Sequence, residues 1–335
     1  MRSTLRKGAV AVFVGASAIL SLVLGGTAAA DPNLNNQGAS LPGFVPDATD
    51  VVGTGSDTTQ YVINTASQAQ SSSNPAVRVA SFNAFKPGTE ASPVTGDQIV
   101  VRDPDQVAGS GDEATIARPN GSSAGITALI NNTSLDFARS SRFRGSNVAE
   151  QNLYFIPALT DGLSYVVDKA ATADIRNLDT AELAAIYRCT DTRGFAPKLP
   201  QAGSGTRSFF LSQIGVAENE IGTCVDQTVQ EHDASPVAGN PLALAPFSTA
   251  RFVNNPPSPA NPPSATVDIA ATSATTGVFF TSRTVYNVVR KADFDRAGSP
   301  LPAIFGAGGF FCNRYATSGI ARQGFGVASN CGALL

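Results

Sequence analysis

The chain of 335 residues has few of the side chains on which metal sites and many active sites depend. It contains one histidine, His232, and four cysteines, and no two cysteines lie two to four residues apart. Structural zinc sites use cysteines and histidines at such short spacings. The sequence therefore predicts neither a metal site nor a cofactor. A Ser-His-Asp hydrolase would have to use His232.

Charged residues are also scarce, at 15% of the chain, and they form no block of like charge. The formal net charge is −3, from 23 basic and 26 acidic side chains. Nucleic-acid binding needs a basic footprint, which this composition does not supply. We therefore expect no nucleic-acid partner.

The first 30 residues have the pattern of a cleavable secretory signal. A basic start precedes an apolar run from Ala9 to Leu24, and three alanines precede Asp31. The apolar run is short for a spanning helix and is broken by glycine and serine, which favours cleavage over a membrane anchor. No cysteine offers a lipid attachment point at the cleavage site. We expect a secreted, extracellular protein without a lipid anchor, with 20 basic and 26 acidic residues and a net charge of −6.

The four cysteines indicate disulfides, because their number is even and export exposes them to an oxidising environment. Three pairings are possible. We predict Cys189–Cys224 and Cys312–Cys331, since each closes a local loop. Each bond would stabilise the fold by about 3–4 kcal/mol in the chain-entropy model.

Three loops of glycine and small residues each run into a helix-compatible stretch. They have the sequences GTGSDT at 53–58, NGSSAG at 120–125 and AGSGTR at 202–207. A helix N-terminus leaves about four N–H groups unpaired and carries roughly half a positive charge. Glycine lets an anion approach such a backbone closely. Three of these helix ends, if they converge, would form an oxyanion site.

Predicted strands alternate with helices along the chain. The strands are at 50–53, 77–82, 99–101, 135–138, 153–158, 163–167, 277–281 and 285–289, and the best-defined helix is 178–187, capped by Asp179 or Thr180. This alternation indicates an α/β architecture, in which ligands bind at the carboxyl ends of strands.

Other polar and aromatic residues have plainer interpretations. The proline-rich segment 254–264 predicts a surface loop, and His232 lies in a polar segment that predicts a surface position. We expect four aromatic side chains to belong to the core rather than to stack on a ligand. These are Tyr61, Phe137, Phe209 and Phe210.

Several segments together resemble motifs of the phosphate-binding proteins of bacterial ABC importers. They are GSSAG at 121–125, DFARSS at 136–141, the helix at 178–187, GSGT at 203–206 and FTSRTVY at 280–286. The resemblance covers most of 50–290. It implies a two-lobed, periplasmic-binding-protein-like clamshell of type II, in which mixed sheets are flanked by helices and an anion lies in the cleft.

The resemblance also implies a division of the chain and a set of ligand-binding residues. A signal peptide at 1–30 and a flexible lead at 31–48 precede lobe 1 at 49–160, lobe 2 at 161–280, and a return segment with a disulfide-held tail at 281–335. Carried over by position, or placed close to the family motifs, the candidate ligand-binding residues are Ser56, Asp57, Thr58, Ser122, Ser141, Gly203, Ser204, Gly205, Thr206 and Arg207, with Arg139 and Arg142 as further candidates.

Two positions depart from the family pattern. The family has an arginine four residues before the serine of its GSGT motif, where this chain has Pro200. It also has an aspartate that accepts a hydrogen bond from a protonated phosphate oxygen, where this chain has Ser141. Arg207 or an arginine of segment 139–144 could replace the guanidinium, and Asp57 could replace the carboxylate.

The leading hypothesis is a secreted, monomeric, non-enzymatic protein that captures an inorganic oxyanion, most readily phosphate. Its partners would be that anion and an ABC importer permease. One alternative is an extracellular interaction protein of the same fold that has lost anion binding, as the departures at Pro200 and Ser141 suggest. Another is a serine hydrolase or phosphatase, because 121–125 matches Gly-x-Ser-x-Gly around Ser123. A nucleophile elbow needs a strand directly before it, and the preceding 118–120 (RPN) does not supply one.

Overall fold

The computed structural model describes residues 45–86, 97–103, 105, 111–253, 263–318 and 323–335. The predicted signal peptide, most of the predicted lead and most of the proline-rich segment 254–264 lie outside these residues. Within the described residues, no helix combines the length and the apolar character that crossing a membrane requires.

The described residues alternate between strands and helices, as the sequence predicts. Strands β1 to β12 span Val51–Gly55, Val79–Ser81, Gln98–Arg102, Ala114–Ala117, Phe137–Ser140, Leu153–Asp168, Ala196–Pro200, Asp226–Val229, Ala243–Ser248, Val267–Ile269, Thr281–Arg290 and Gly326–Val327. Helices α1 to α9 span Gln60–Ser73, Ser122–Asn131, Ala173–Arg176, Thr180–Tyr187, Gly205–Gln213, Thr249–Val253, Lys291–Phe294, Leu301–Phe305 and Phe310–Thr317. Short 3-10 turns lie at Val148–Asn152, Glu218–Glu220 and Pro263–Ala265.

Most of the described strands belong to one mixed sheet. Its order is β2-β1-β5-β11-β6-β9-β7-β8, and β10 and β12 also pair with β6. Strands β1, β2 and β5 pair in parallel, as do β7, β8 and β9, whereas β11 runs antiparallel to both β5 and β6. Strands β3 and β4 form a separate antiparallel pair. The mixed sheet with flanking helices confirms the predicted α/β class.

Two long antiparallel strands, β6 and β11, run through the middle of the sheet. Their register extends from Leu153 opposite Arg290 to Leu163 opposite Thr281. The prediction of two separate strands at 153–158 and 163–167 is wrong, because β6 continues through the polar residues between them. The strand predicted at 277–281 is also wrong, since β11 begins only at Thr281.

Buried apolar side chains collect on either side of this pair of strands. Two clusters pack chiefly around β1, β2 and β5 with α1, α2, α8 and α9. Two others pack around the end of β6 and β9, with α4 and α5. We call these two parts lobe 1 and lobe 2. The division of the chain at residues 160 and 280 stays a prediction.

The aromatic core residues and both disulfides agree with the sequence predictions. Tyr61, Phe137 and Phe210 are buried, and Phe209 packs partly buried against the core of lobe 2. The cysteines pair as 189 with 224 and 312 with 331. The second bond ties α9 to the carboxyl-terminal tail.

Helix α4 begins with the cap that its sequence predicts. Asp179 accepts a hydrogen bond from the Glu182 N–H (2.9 Å), and the Glu182 carboxylate accepts one from the Asp179 N–H (3.0 Å). This reciprocal pair satisfies two donors at the start of the helix. Leu183, Ile186 and Tyr187 then face the core of lobe 2.

Glycines allow the amino-terminal end of α2 to lie against the end of β1. A Cβ atom added at Gly125 would lie 2.4 Å from the Cα of Gly55, and Gly55 itself has a φ of 122°. Gly55 also bridges to Asn120 in the loop before α2. This backbone-to-backbone contact brings the first two glycine loops together.

We therefore expect Gly125→Ala to destabilise the fold by about 1–3 kcal/mol, as overpacking does. In an open helical position the same change would stabilise by up to about 1 kcal/mol, but here the methyl group meets backbone that cannot rotate away. Urea unfolding would measure the difference. Thr127→Ala, on the exposed side of the same helix, is the control and should change stability by less than about 0.5 kcal/mol. A variant as stable as the wild type would contradict this account of the contact.

Candidate functional site

A buried ion pair lies where β6 and β11 pass between the lobes. Asp161 and Arg283 are register partners on the two strands. The Arg283 guanidinium donates from Nη2 (2.9 Å) and Nε (3.1 Å) to Asp161 Oδ2. Asp161 Oδ1 accepts a further hydrogen bond from Ser248 Oγ (2.6 Å). Both charged side chains are almost fully shielded from solvent, so each depends on the other for compensation.

The same guanidinium reaches both lobes. Arg283 Nη2 donates to Thr206 Oγ1 (2.8 Å), at the start of α5 in lobe 2. It also lies 3.5 Å from Thr58 Oγ1 in lobe 1, and Nη1 lies 3.5 Å from the Ser141 carbonyl oxygen. Sequence reasoning missed Arg283, although it singled out the segment 280–286. The available signal was a lone arginine between the strands predicted at 277–281 and 285–289.

Three buried serine hydroxyls form a chain in lobe 1. Ser141 Oγ lies 3.1 Å from Ser56 Oγ and 3.2 Å from Ser122 Oγ, and the Ser141 N–H donates to Ser122 Oγ (3.0 Å). A Cβ at Gly205 would lie within 2.3 Å of the Ser122 and Ser141 hydroxyls. The first residue of α5 therefore contacts these hydroxyls, and three loops of the predicted site meet here.

The second and third glycine loops also contact each other directly. The Ser123 N–H donates to the Gly203 carbonyl (3.1 Å). Asn120 donates to Gln230 (2.9 Å) and accepts from Gln201 (3.1 Å). These bonds join lobe 1 to lobe 2, so the loops meet the condition of convergence that an oxyanion site of helix ends requires. Ser204 caps α5 by accepting from the Arg207 N–H (3.0 Å).

A carboxylate that the sequence did not point out lies at the start of α5. Glu231 Oε1 accepts from the Thr206 N–H (3.1 Å) in lobe 2 and from Thr58 Oγ1 (3.1 Å) in lobe 1. The Glu231 side chain is buried, and among the described residues its Oε2 atom has no hydrogen-bond partner. Thus Glu231 bridges the two lobes through donors of the first and third glycine loops.

The neighbouring His232 is buried, so the predicted surface position is wrong. Its side chain is 0% exposed, and Nδ1 lies 2.9 Å from Asp57 Oδ1 in lobe 1. Its ring also packs edge-on against Phe247, with centroids 5.1 Å apart. His232 has a φ of 60°, which is uncommon for a residue with a side chain. This backbone conformation helps to turn two consecutive polar side chains inward.

Burial shifts the pKa values of Asp57 and His232 in opposite directions. Burial raises the pKa of Asp57 to about 6, although Arg251, a hydrogen bond with the Glu231 carboxyl group and Arg283 act against the shift. Burial lowers the pKa of His232 to about 3, and the Arg251 charge adds to that shift. Histidine is therefore neutral at physiological pH. Arg251 donates to the Asp57 carbonyl (2.5 Å) and lies 4.0 Å from its carboxylate.

Asp57, Glu231 and His232 also satisfy one geometric condition for a metal site, because their ligand atoms all lie within 4.8 Å of one another. Two guanidinium groups border the same side chains, however. Arg251 lies 4.0 Å from Asp57, and Arg283 contacts Thr58, which in turn donates to Glu231. Their positive charge opposes a further cation in a buried site.

Two of the predicted arginines are engaged outside the serine cluster. Arg207 pairs with Glu218 (2.6 Å) and donates to the Pro200 carbonyl (3.0 Å). Arg142 pairs with Glu150 (2.8 Å). Neither therefore replaces the family's arginine in this geometry. Arg283, which enters from the β11 crossing, is the guanidinium that lies among the hydroxyls.

Arg139 supports the first glycine loop from behind. Its buried guanidinium donates to Ser81 Oγ (2.7 Å), the Phe82 carbonyl (2.7 Å) and the Ser56 carbonyl (3.1 Å). These bonds tie the end of β1 to the segment after β2. The side chain thus fixes the position of Ser56 rather than presenting its own charge beside the serine hydroxyls.

The Gly-x-Ser-x-Gly match does not form a hydrolase elbow. Ser123 Oγ accepts from Arg142 Nε (3.0 Å), whereas His232 lies against Asp57. Ser123 is in the first turn of α2, which follows a loop rather than a strand. This geometry gives the hydrolase hypothesis no support.

Comparison with solved structures finds this fold in phosphate-transport proteins. One is a Clostridium perfringens protein that is named as a phosphate ABC transporter substrate-binding protein and was solved with bound phosphate. It is 16% identical to this chain, and the match covers 84% of this chain and 100% of that chain with a TM-score of 0.57. An ABC-type phosphate transport receptor from Vibrio cholerae is 17% identical, with 82% and 98% covered and a TM-score of 0.52. No protein-family model and no curated protein matches the chain. The structural likeness confirms the predicted periplasmic-binding-protein-like fold.

Replacing Arg283 by methionine should destabilise the protein by about 3–5 kcal/mol, because Asp161 would remain buried without its compensating charge. Chemical denaturation would measure the loss. Arg188→Met is the matched control, since Arg188 pairs with Glu220 while both side chains are over 30% exposed; it should cost less than about 1 kcal/mol. Adding Asp161→Asn to Arg283→Met should recover part of the stability. Equal losses for the two arginine variants would contradict the role of burial.

The Asp57–His232 pair predicts opposite pH dependences for two variants. The unfolded chain protonates His232 near pH 6.5 but the folded chain only near its pKa of about 3, so this contribution to stability is lost as pH falls through that window. The folded chain keeps the Asp57 proton up to its pKa of about 6, while the unfolded chain releases it near 3.8. The Asp57 contribution is therefore present at low pH and lost as pH rises from 3.8 to 6.

As pH falls from 7 to 4, the stability advantage of the wild type over His232→Gln should narrow, and its advantage over Asp57→Asn should widen. Denaturation at a series of pH values would measure both differences. If both stability differences changed with pH in the same direction, the opposite pKa shifts of Asp57 and His232 would be incorrect.

Proposed function

We propose that this chain is a solute-binding protein that captures a small inorganic oxyanion, phosphate first, between its two lobes. The main support for the proposal is that the N-terminus of α5 contacts the serine hydroxyls of lobe 1 and Arg283 in a buried region. Candidate donors are Ser56, Thr58, Ser122, Ser141, Ser204, Gly205 and Thr206. Gly203 allows the turn into α5, with a φ of 87°.

Each component favours an anion for a physical reason. The first turn of α5 presents N–H groups and the positive end of the helix dipole. Hydroxyl groups can rotate to donate to an oxyanion wherever its oxygens lie. Arg283 adds guanidinium N–H donors in a region shielded from water, where charge-assisted hydrogen bonds are strong, although Asp161 compensates its net charge. Asp161 holds this guanidinium in place.

The proteins of similar fold support the phosphate preference and the proposed partner. Their names describe phosphate binding and ABC transport, and at 16–17% identity they indicate which ligands to test first. By the same argument, we propose a monomeric, non-enzymatic receptor that delivers its ligand to an ABC importer permease outside the cell. The predicted signal segment at 1–30 agrees with that location.

A second candidate is an extracellular interaction protein that keeps the fold without binding an anion. One observation favours it: Glu231 uses the Thr206 N–H and the Thr58 hydroxyl, two donors that an anion would need. The loss of the family's arginine at Pro200 and of its aspartate at Ser141 also favours this second candidate. Ligand titration separates the two candidates.

Isothermal titration calorimetry with phosphate, sulfate, molybdate and methylphosphonate should show binding of at least phosphate. Ser122→Ala should then raise the dissociation constant by about tenfold to a hundredfold, because a hydrogen bond to a charged group is worth about 1.5–3 kcal/mol. Ser212→Ala, at the exposed far end of α5, is the control and should leave the affinity unchanged. Neither heat nor a thermal shift with any of the four anions would reject the proposal and favour the interaction protein.

A further inference from the structure

The Glu231 carboxylate lies where an external oxyanion would have to bind. Its Oε1 atom accepts one hydrogen bond from the backbone of lobe 2 and one from a hydroxyl of lobe 1, each 3.1 Å long. An oxygen of a bound anion would take the same two donors, since Thr206 is in the first turn of α5 and Thr58 in the first glycine loop. Glu231 therefore acts as an anion supplied by the chain itself.

The loop that carries Glu231 is fixed from both sides. Its N–H donates to Gln201 Oε1 (3.2 Å), and the preceding Gln230 accepts from Asn120 in lobe 1. The following His232 is held against Asp57. Because these neighbours anchor the backbone, the carboxylate can move by rotating its own side chain.

The carboxylate is held by weak partners for so buried a charge. Glu231 is 4% exposed, and its two described hydrogen bonds from N–H and O–H donors come from uncharged groups. Its carboxyl group also interacts with that of Asp57, another acid, and its Oε2 atom has no partner among the described residues. A buried carboxylate with an unsatisfied oxygen is costly. By contrast, both oxygens of Asp161 have partners: Oδ2 accepts two hydrogen bonds from the Arg283 guanidinium, and Oδ1 accepts one from the Ser248 hydroxyl. Glu231 is thus the buried carboxylate that a stronger acceptor can most readily displace.

We propose that Glu231 competes with the external oxyanion for the Thr206 N–H and the Thr58 hydroxyl. This inference rests on the proposed function. When Glu231 holds both donors, the lobes are joined without an external ligand. When an anion binds, the carboxylate must leave, because two negative groups at hydrogen-bond distance repel strongly in a buried site. The measured affinity is then lower than the affinity of the site itself.

A different role for Glu231 predicts the opposite effect of neutralising it. If the carboxylate instead accepted a hydrogen bond from a protonated oxygen of phosphate, its loss would weaken binding. The present geometry favours competition, because Oε1 takes the donors themselves rather than lying beside them. The sign of the change in affinity therefore decides between the two roles.

In calorimetric titrations with phosphate, the dissociation constant of Glu231→Gln should be at least tenfold lower than that of the wild type. Asp174→Asn removes the same charge from an exposed position in lobe 2 and should leave the affinity unchanged. Hydrogen exchange provides a second measurement that needs no ligand: the Thr206 amide should exchange faster in Glu231→Ala. If Glu231→Gln folds poorly, Glu231→Ala should show the same gain in phosphate affinity.

The outcomes separate this inference from the proposed function. Phosphate binding by the wild type that is unchanged or weakened in Glu231→Gln would overturn the competition and leave the proposed function intact. Tighter binding in Glu231→Gln but not in Asp174→Asn supports the competition. If neither the wild type nor any variant binds phosphate, sulfate, molybdate or methylphosphonate, the proposed function is overturned. The competition is then overturned with it, even if the Thr206 amide exchanges faster.

Discussion

Asp161 and Arg283 stand opposite each other at the point where β6 and β11 pass between the lobes, with side chains that are at most 1% exposed. A lone charge of either sign at this position would oppose folding, because the sheet leaves it no water. Paired, the two charges let both strands continue through a polar stretch without a break. The same guanidinium still contacts both lobes, because Nη2 also reaches Thr206 and Thr58 while Nη1 lies near the Ser141 carbonyl.

The positions of the other polar groups follow from this crossing. Thr58 and Ser141 reach it from lobe 1, and Thr206 reaches it from lobe 2. Because β6 and β11 are shared by the two lobes, a small rotation about them would change the distance between these groups without disturbing either core. That is the behaviour expected of hinge closure in two-lobed binding proteins. Such a rotation would make or break the contacts between the glycine loops.

Local patterns predicted the parts of the fold whose causes are local. The reciprocal cap at Asp179 and Glu182 can be recognised from four consecutive residues, and the disulfides close short loops. The glycine loops were found because helix ends have a recognisable composition. The site residues that were missed depend on long-range contacts: Asp161 and Arg283 are 122 residues apart, and His232 is 175 residues from Asp57, its partner.

For the same reason, β6 was predicted as two strands. Asp161 and Gly162 predict a break when only neighbouring residues are considered, and only the partner on β11 makes the strand continuous. His232 was predicted to be at the surface because its neighbours in sequence are polar. Nothing local indicates that Asp57 and Arg251 will enclose it. Buried polar clusters of this kind depend on tertiary contacts that single-sequence patterns do not record.

The charges around the crossing bear on what such a site can distinguish. Arg283 is already compensated by Asp161, and Arg251 lies beside Asp57, so a bound anion would not meet uncompensated positive charge. The affinity for the anion would come mainly from hydroxyl and backbone donors. The anion would have to bind these donors more strongly than Glu231 does, because Glu231 uses two of them. Discrimination in such a site is a difference between two occupants. An oxyanion displaces the carboxylate only if its additional oxygens reach donors that Glu231 leaves unused, such as the serine hydroxyls of lobe 1. A tetrahedral oxyanion can meet that condition, whereas a single carboxylate held at one oxygen cannot.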